Sequence, residues 1–391
     1  MIRILFVNST SEIGGADIDL LEICRHLDPN RYALTVVLPQ KGPFSAKFES
    51  EGVRLVYLDP APIKRFRTLV QKVTYPLHLA LATFNLWRLI RREKPAIVHV
   101  NTSVLPAAAF AARLARVRCV WHVREIELLQ RSRIVGGFLL GCIRIFPDRI
   151  LAISHSVAER LDLSSHPKVS VIYHGVDTNR FCPTDDNHTL RIAVGIPKSA
   201  RVVGYVGRLS PIKGLEYLIA AFGKVHQLHP EAYLLIVGPV LSYQEYFASL
   251  RQQVYNLGLS NYVVFLLDDP DIPTVMQAMD VLVLPTIVPE GLGIVILEGL
   301  SSGIPVIATN QGGPVEILTG CTAGRLVPPK DTQSITQAVL DLFNFSLEER
   351  RKLSEEARRW VMEQFSIEQM IAKLTQVYEL LLNSDGYISE C

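Results

Sequence analysis

Pro285-Thr-Ile-Val-Pro-Glu290-Gly-Leu-Gly293-Ile-Val-Ile-Leu-Glu298-Gly-Leu-Ser-Ser-Gly303-Ile-Pro305-Val306 lies between two short apolar runs, Val281–Leu284 and Val306–Ala308. The first run ends at Pro285, a loop carries Glu290, Gly291 and Gly293 keep its backbone free of side chains, and a helix begins near Ile294. Strand, helix and strand in that order form a crossover unit of a parallel sheet. Such a helix start leaves amide N–H groups without intrahelical partners and carries a partial positive charge, which favours an anion. A rise of about 1.5 Å per residue puts Glu298 about 7 Å into the helix. One carboxylate then stands on the loop side of a bound diphosphate and the other on the helix side, each free to accept from sugar hydroxyls. The geometry suits a sugar nucleotide.

Working outward, apolar runs bounded by turn residues recur at Val202–Val206, Tyr233–Val237, Tyr262–Leu266 and Arg325–Val327 in this half. Ile2–Asn8, Leu34–Leu38, Val53–Leu58, Ile97–Val100, Cys119–Val123, Ile150–Ile153 and Val169–Tyr173 do so in the first half. Helix-period stretches such as Leu20–Leu27 and Leu81–Arg92 fall between them. The expected fold is α/β, two Rossmann-like doubly wound sheets covered by helices. The polar stretch Asn179–His188 marks the joint. We expect residues 1–180 to form one domain and 181–365 the other, with 366–391 ending in a helix that packs back on the first. Ligands of open α/β sheets bind beyond the carboxyl ends of the strands.

Directly after Val202–Val206 comes Gly207-Arg208-Leu-Ser-Pro-Ile-Lys213-Gly214, a loop bracketed by glycines with two cations. Arginine grips phosphate oxygens in a fork and lysine acts as a point charge, so both suit a diphosphate. The alternative for these cations is a solvated surface turn. With Glu290-x7-Glu298, this loop and Gly312-Gly313-Pro-Val-Glu316 in this order, the chain resembles a retaining glycosyltransferase of family four. That resemblance runs over essentially the whole chain and implies the GT-B fold, two Rossmann-like domains facing a central cleft, the first binding acceptor and the second the nucleotide sugar.

The resemblance also implies roles. Glu290 would bind hydroxyls of the donor sugar, Glu298 the ribose diol, and Arg208 with Lys213 the diphosphate. Gly291, Leu292, Gly293, Ile294 and Val295 would line the donor, and Gly14-Gly15 would form the glycine loop near its phosphates. His122, in Trp121-His-Val-Arg-Glu125, matches the histidine that faces the reacting sugar, and polar Arg124 and Glu125 beside it fit a strand end. A histidine there can equally be a core residue. His99, His174 and Glu316 are open between site and structure, and Asn101-Thr102 is an acceptor-side candidate. Leu292 stands where the family often has Phe, and Gly299-Leu-Ser-Ser where Ala-Met-Ala is commoner.

Implied with these roles is transfer of a hexose, best read as glucose from UDP-glucose, to a glycan or lipid-linked saccharide in polysaccharide synthesis, with no metal and no cofactor. Positive charge from Arg208, Lys213 and the helix start would neutralise the leaving nucleotide. A divalent ion on Asp268-Asp269-Pro-Asp271 is the competing idea, but Pro270 and Pro273 make that stretch a turn. A sugar-nucleotide epimerase, a phosphorylase and a non-catalytic sugar-nucleotide-binding protein are the rival functions.

Composition narrows the field. The 391 residues are 49% hydrophobic and 20% charged, which suits two large cores and excludes a disordered chain. Apolar stretches such as Val104–Ala112 fall short of a bilayer span, and Met1–Asn8 is too short for a signal peptide. Six scattered cysteines give no disulfide frame or zinc spacing, so a cytoplasmic location is expected. Residues 1–180 hold 25 Lys and Arg against 15 Asp and Glu, whereas 181–391 hold 15 against 23. Cations interleaved with apolar residues in Ile63–Arg67, Trp87–Lys94 and Arg113–Arg118 suit either an anionic membrane surface or a solvated helix face. No nucleic-acid-binding motif accompanies them.

Overall fold

The computed structural model describes residues 1–12, 15–63, 69–124, 133–184, 189–267 and 271–383. Gly14, Lys64–Arg67, Glu125, Asp185–Asn187 and the Asp268-Asp269 pair, all singled out above, lie outside that set.

The apolar runs form two all-parallel sheets. In the first, β1 (Ile2–Val7), β2 (Tyr32–Leu38), β3 (Arg54–Tyr57), β4 (Ile97–Val100), β5 (Arg118–Val123), β6 (Arg149–Ala152) and β7 (Val169–Val171) lie in the order β3-β2-β1-β4-β5-β6-β7. Ile4 of β1 registers with Leu34 of β2 and Ile97 of β4, so the strand order reverses on either side of β1. In the second, β8 (Arg201–Val206), β9 (Ala232–Val237), β10 (Val263–Leu266), β11 (Val281–Leu284), β12 (Val306–Thr309) and β13 (Gly324–Val327) run β10-β9-β8-β11-β12-β13. Here the reversal falls between β8 and β11. Each reversal opens a crevice at the carboxyl ends of the central strands.

The chain divides into two compact units, Met1–Gly175 with Ile367–Cys391, and Val176–Ser366. The break falls a few residues before position 180 because Arg358 donates to the carbonyls of Thr178, Phe181 and Ser301, fastening that segment to the second unit. Val176 also donates to the Phe365 carbonyl at 2.9 Å.

In the first unit, α1 (Gly15–His26), α2 (Pro43–Ser50) and the helix Ile367–Asn383 share one apolar core with Phe6, Ile97 and Leu151 of the sheet. Right-handed crossovers put α3 (Leu69–Glu93), α4 (Pro106–Ala115) and the helix Arg133–Ile145 on the other face. Ala107, Ala108, Ala109, Ala111 and Ala112 are all buried, so α4 sits close between its two helical neighbours. The helix expected over Leu81–Arg92 starts earlier, at Leu69, and runs through Pro76. Proline removes one helical hydrogen bond, but Pro76 is exposed, so water can reach the freed carbonyl. The Tyr75 hydroxyl, donating to the Ala61 carbonyl at 3.0 Å, fastens these extra turns.

Candidate active site

The second unit brings together one cation and one carboxylate that the sequence places on separate loops, Lys213 and Glu290. A short 3-10 turn, Pro211–Lys213, ends at Gly214 in the left-handed region, φ +65°. A Cβ there would lie 2.4 Å from the Pro285 carbonyl oxygen, so this loop and the one after β11 touch backbone to backbone. That approach brings Lys213 Nζ into an ion pair with Glu290 Oε1, which also accepts from Thr286 Oγ1 at 3.0 Å. Thr309 Oγ1 and Gln311 Nε2 both donate to the Thr286 carbonyl, at 2.8 and 2.9 Å. Both charged side chains keep some solvent contact, 15% for Lys213 and 20% for Glu290. Each can therefore exchange its partner for a ligand.

Behind Glu290 the support is backbone. Gly313 N–H donates to the Glu290 carbonyl at 3.0 Å, and Glu290 and Gly312 form a parallel bridge. A Cβ at Gly312, φ +72°, would lie 2.3 Å from that carbonyl oxygen, and one at Gly313 2.3 Å from Leu292 Cα. Leu292 is buried, and Gly293 opens the helix Ile294–Ser301 with φ +88° and no side-chain cap. Ile294 and Val295 form its half-buried first turn, and half-buried Glu298 stands one turn on. With no side-chain cap at Gly293, the amides of Ile294 and Val295 suit an anion, while Ile296 N–H donates to the Gly293 carbonyl at 2.9 Å. Gly299 presses this helix onto β11, since a Cβ would lie 2.7 Å from Leu282 Cδ2.

Arg208 is exposed, and its carbonyl accepts from the Tyr205 hydroxyl at 2.9 Å. Burial and the charge of Glu290 push the Tyr205 phenol well above its usual pKa, so it remains a proton donor. Asp271, the described end of the acidic run, caps the helix Ile272–Gln277 by accepting from Thr274 N–H. It does the work of a turn.

In the first unit the polar groups are buried side chains. Asn8, Asn101 and Arg124 each follow the last residue of β1, β4 and β5, and His174 lies just beyond β7. Asp19 of α1, fully buried, ion-pairs with both Arg124 and His174 Nδ1. Arg124 spends its fork on Asn101, donating from Nε to the carbonyl and from Nη2 to Oδ1, each at 3.0 Å. Its Nη2 also donates to His122 Nδ1 at 3.0 Å. Asn101 in turn donates to Asn8 Oδ1 at 3.0 Å. Gly15 is exposed at the start of α1.

The electrostatics of this network follow from burial. Desolvation alone would raise the Asp19 carboxyl, but the charges of Arg124 and His174 hold it well below the usual carboxylate range. Burial pushes His99 down to about 3, with Arg124 adding to the shift. Burial, then Arg124 and His99, hold His122 well below its usual value. His122 is therefore neutral, and because Nδ1 accepts from Arg124 its proton sits on Nε2. Among the described residues His122 Nε2 has no partner. His99 Nδ1 meets the Tyr378 hydroxyl at 2.7 Å, and its ring centroid lies 5.6 Å from that of His122.

Lys213, Glu290 and the Gly291–Val295 segment thus share one site in the second unit, with Arg208 exposed at the other end of the Lys213 loop, while His122 and Gly15 belong to the first. Sequence reasoning passed over Asp19, Asn8 and Thr286. For Asp19 a signal existed: it lies four residues before Ile23 on the buried stripe of α1, where a carboxylate needs a partner.

A model of glycosyl transferases group 1 matches residues 186–360, and one of glycosyltransferase family 4 matches residues 13–180. The lipopolysaccharide core biosynthesis mannosyltransferase LpsB of Rhizobium meliloti is 27% identical over 60% of this chain and 66% of its own length. The UDP-Gal:alpha-D-GlcNAc-diphosphoundecaprenol alpha-1,3-galactosyltransferase of Escherichia coli is 25% identical over 96% of each chain. Several matches are partial: the chain spans 66%, 61% and 52% of three curated relatives. Among solved structures, Anabaena HepE in complex with UDP-glucose superposes with a TM-score of 0.83 at 23% identity, covering 97% of this chain and all of that one.

Proposed function

The chain belongs to the family 4, group 1 glycosyltransferases, and from that premise we propose that it is a retaining hexosyltransferase. Its donor is a nucleoside diphosphate sugar, best read as UDP-glucose, and its acceptor a glycan or lipid-linked saccharide in polysaccharide synthesis. The observation that carries the reading is the Lys213–Glu290 pair on glycine-backed loops beside an uncapped helix start. HepE with UDP-glucose and the UDP-galactose-dependent E. coli relative support a uridine nucleotide, and mannosyltransferase relatives keep the sugar a matter for experiment.

The chemistry follows from the residues. Without ligand, Lys213 and Glu290 satisfy one another. A diphosphate draws Lys213 and Arg208 to its oxygens and faces the helix start at Gly293, and Glu290, released, accepts from a sugar hydroxyl. Glu298 takes the ribose diol, and the backbone of Gly291–Val295 lines the donor. Charge that builds on the departing diphosphate then meets preorganised cations and amides, the interactions that strengthen most toward the transition state. His122, neutral and protonated at Nε2, remains the first unit's candidate donor. Attack from the face the nucleotide leaves retains the anomeric configuration and lets the leaving diphosphate accept the acceptor's proton. This scheme assigns neutralisation to protein groups, so transfer needs no metal. The protein works in the cytoplasm.

The test is a screen of UDP-, GDP- and ADP-sugars for thermal stabilisation and nucleotide release, with and without EDTA, with Glu290→Ala as control. One donor should stabilise the protein and release its nucleotide slowly and equally in EDTA. A free epimerised sugar nucleotide, a need for inorganic phosphate, or binding with no turnover under any acceptor condition would replace the reading by an epimerase, a phosphorylase or a binding protein.

A further inference from the structure

We propose that the outer face of the helical layer formed by α3, α4 and Arg133–Ile145 is a docking surface for an anionic phospholipid membrane. The inference deepens the reading above, since it gives a lipid-linked acceptor a place to be met, but the docking itself requires no transferase activity.

The first observation is a stripe. On α3, Val73, Leu77, Leu81 and Phe84 are 71%, 66%, 54% and 52% exposed. At about 100° per residue these four fall within roughly 80° of the helix circumference, and Arg88 and Arg91 continue the same line toward the C-terminus. The second observation is a repeat of the pattern on the helix Arg133–Ile145. Ile134, Phe138 and Ile145 are 85%, 45% and 69% exposed on one line, with open space over Gly141 between them. Between the two helices lies α4, packed against both, with Leu114 exposed. An open groove lined by Pro76, Phe84, Trp87, Phe110, Leu114 and Phe146 joins α3 to α4. Single exposed hydrophobic residues are ordinary, but aligned rows on two helices of one layer, with Leu114 and an apolar groove on the helix between them, mark an interaction surface.

Charge selects the occupant. The three helices Leu69–Glu93, Pro106–Ala115 and Arg133–Ile145 hold seven Lys and Arg and one acidic residue, Glu93. Glu93 is engaged by Arg54 and Arg92. Arg88, Arg91, Arg113 and Arg116 are exposed and form no ion pair among the described residues. A second copy of this chain would set these cations against their own like. An anionic bilayer takes both halves of the pattern, aliphatic and aromatic side chains entering the headgroup region and arginines meeting the phosphates. Among the described residues no helix is long and apolar enough to cross a membrane, so the face lies on the bilayer.

The test mixes the full chain with vesicles of phosphatidylcholine alone and of phosphatidylcholine with phosphatidylglycerol, and measures the fraction that sediments. Binding is expected to the anionic vesicles only, falling as salt is raised. Arg88→Ala/Arg91→Ala should weaken it about 30-fold, and Leu77→Asp/Leu81→Asp by more. All four positions are exposed, so thermal unfolding and acceptor-free donor hydrolysis should match the wild type. Lost vesicle binding with intact hydrolysis in these variants is the expected signature. Intact vesicle binding in a wild type that turns over no donor would sink the proposed function and leave the docking face standing. Equal sedimentation with both vesicle types, none with either, or variants that bind like wild type would overturn the docking face. A dimer that Leu77→Asp/Leu81→Asp dissociates would overturn it too, because a second copy would then cover the face.

Discussion

The two units place polar groups at the same topological position, beyond the carboxyl ends of central parallel strands, and hold them by opposite means. The first unit ties Asn8, Asn101, His122, Arg124, His174 and Asp19 into a side-chain network shut away from solvent. The second holds Lys213 and Glu290 at the solvent edge and fixes them with backbone, through Gly214, Gly312 and Gly313. Buried charges that already have partners are costly to disturb, whereas a pair that keeps some solvent contact can trade its partner for a ligand at lower cost. The difference separates a region that holds His122 neutral from a region whose charged groups stay within reach of solvent.

The comparison breaks most visibly if Asp19 is removed. Asp19→Ala leaves Arg124 buried without its carboxylate and should cost about 3–5 kcal/mol in urea unfolding; a loss below about 1 kcal/mol would mean the network is not closed. Lys213→Ala should do the reverse, lowering kcat/KM about 100-fold by loss of a charged hydrogen bond while leaving the unfolding midpoint nearly unchanged. Gly312→Ala tests the backbone support. Its φ of +72° and the Cβ contact with Glu290 predict about 1–3 kcal/mol of strain, with donor affinity falling in titrations because the Glu290 loop must move.

The remaining test is a dependence on pH. His99 and His122 are neutral in the folded protein and would take up protons near the ordinary value of 6.5 once unfolded. Stability should therefore fall as pH drops through 6.5, by about 1.4 kcal/mol per pH unit for each histidine, and for His99 continue to about 3. Asp19, whose carboxyl is depressed, adds its own loss only below the unfolded value of 3.8. His99→Asn should reduce the slope between pH 6 and 4; an unchanged slope would place the titration elsewhere.

The fold was legible because both sheets are buried on both faces, so strands such as Ile97–Val100 and Val281–Leu284 read as unbroken apolar runs. The early turns of α3 were not, because Pro76 reads as a helix stop and the Tyr75 contact that outweighs it is tertiary. Glu290, Lys213 and their glycines were legible since each loop carries its own signature. The network around His122 was only half legible. Its anchors lie far apart in the chain, 155 residues between Asp19 and His174 and 279 between His99 and Tyr378, and no local pattern announces such partners.

In the proposed function the second unit's exchangeable pair binds a nucleotide sugar, with Lys213 on the diphosphate and Glu290 on the sugar. Calorimetric titration of UDP and UDP-glucose into the wild type, Lys213→Ala and Glu290→Ala tests it directly. Lys213→Ala should weaken both ligands alike, and Glu290→Ala should bind UDP as the wild type does while losing the added affinity for UDP-glucose. Wild-type affinity for both ligands in Lys213→Ala would contradict the account.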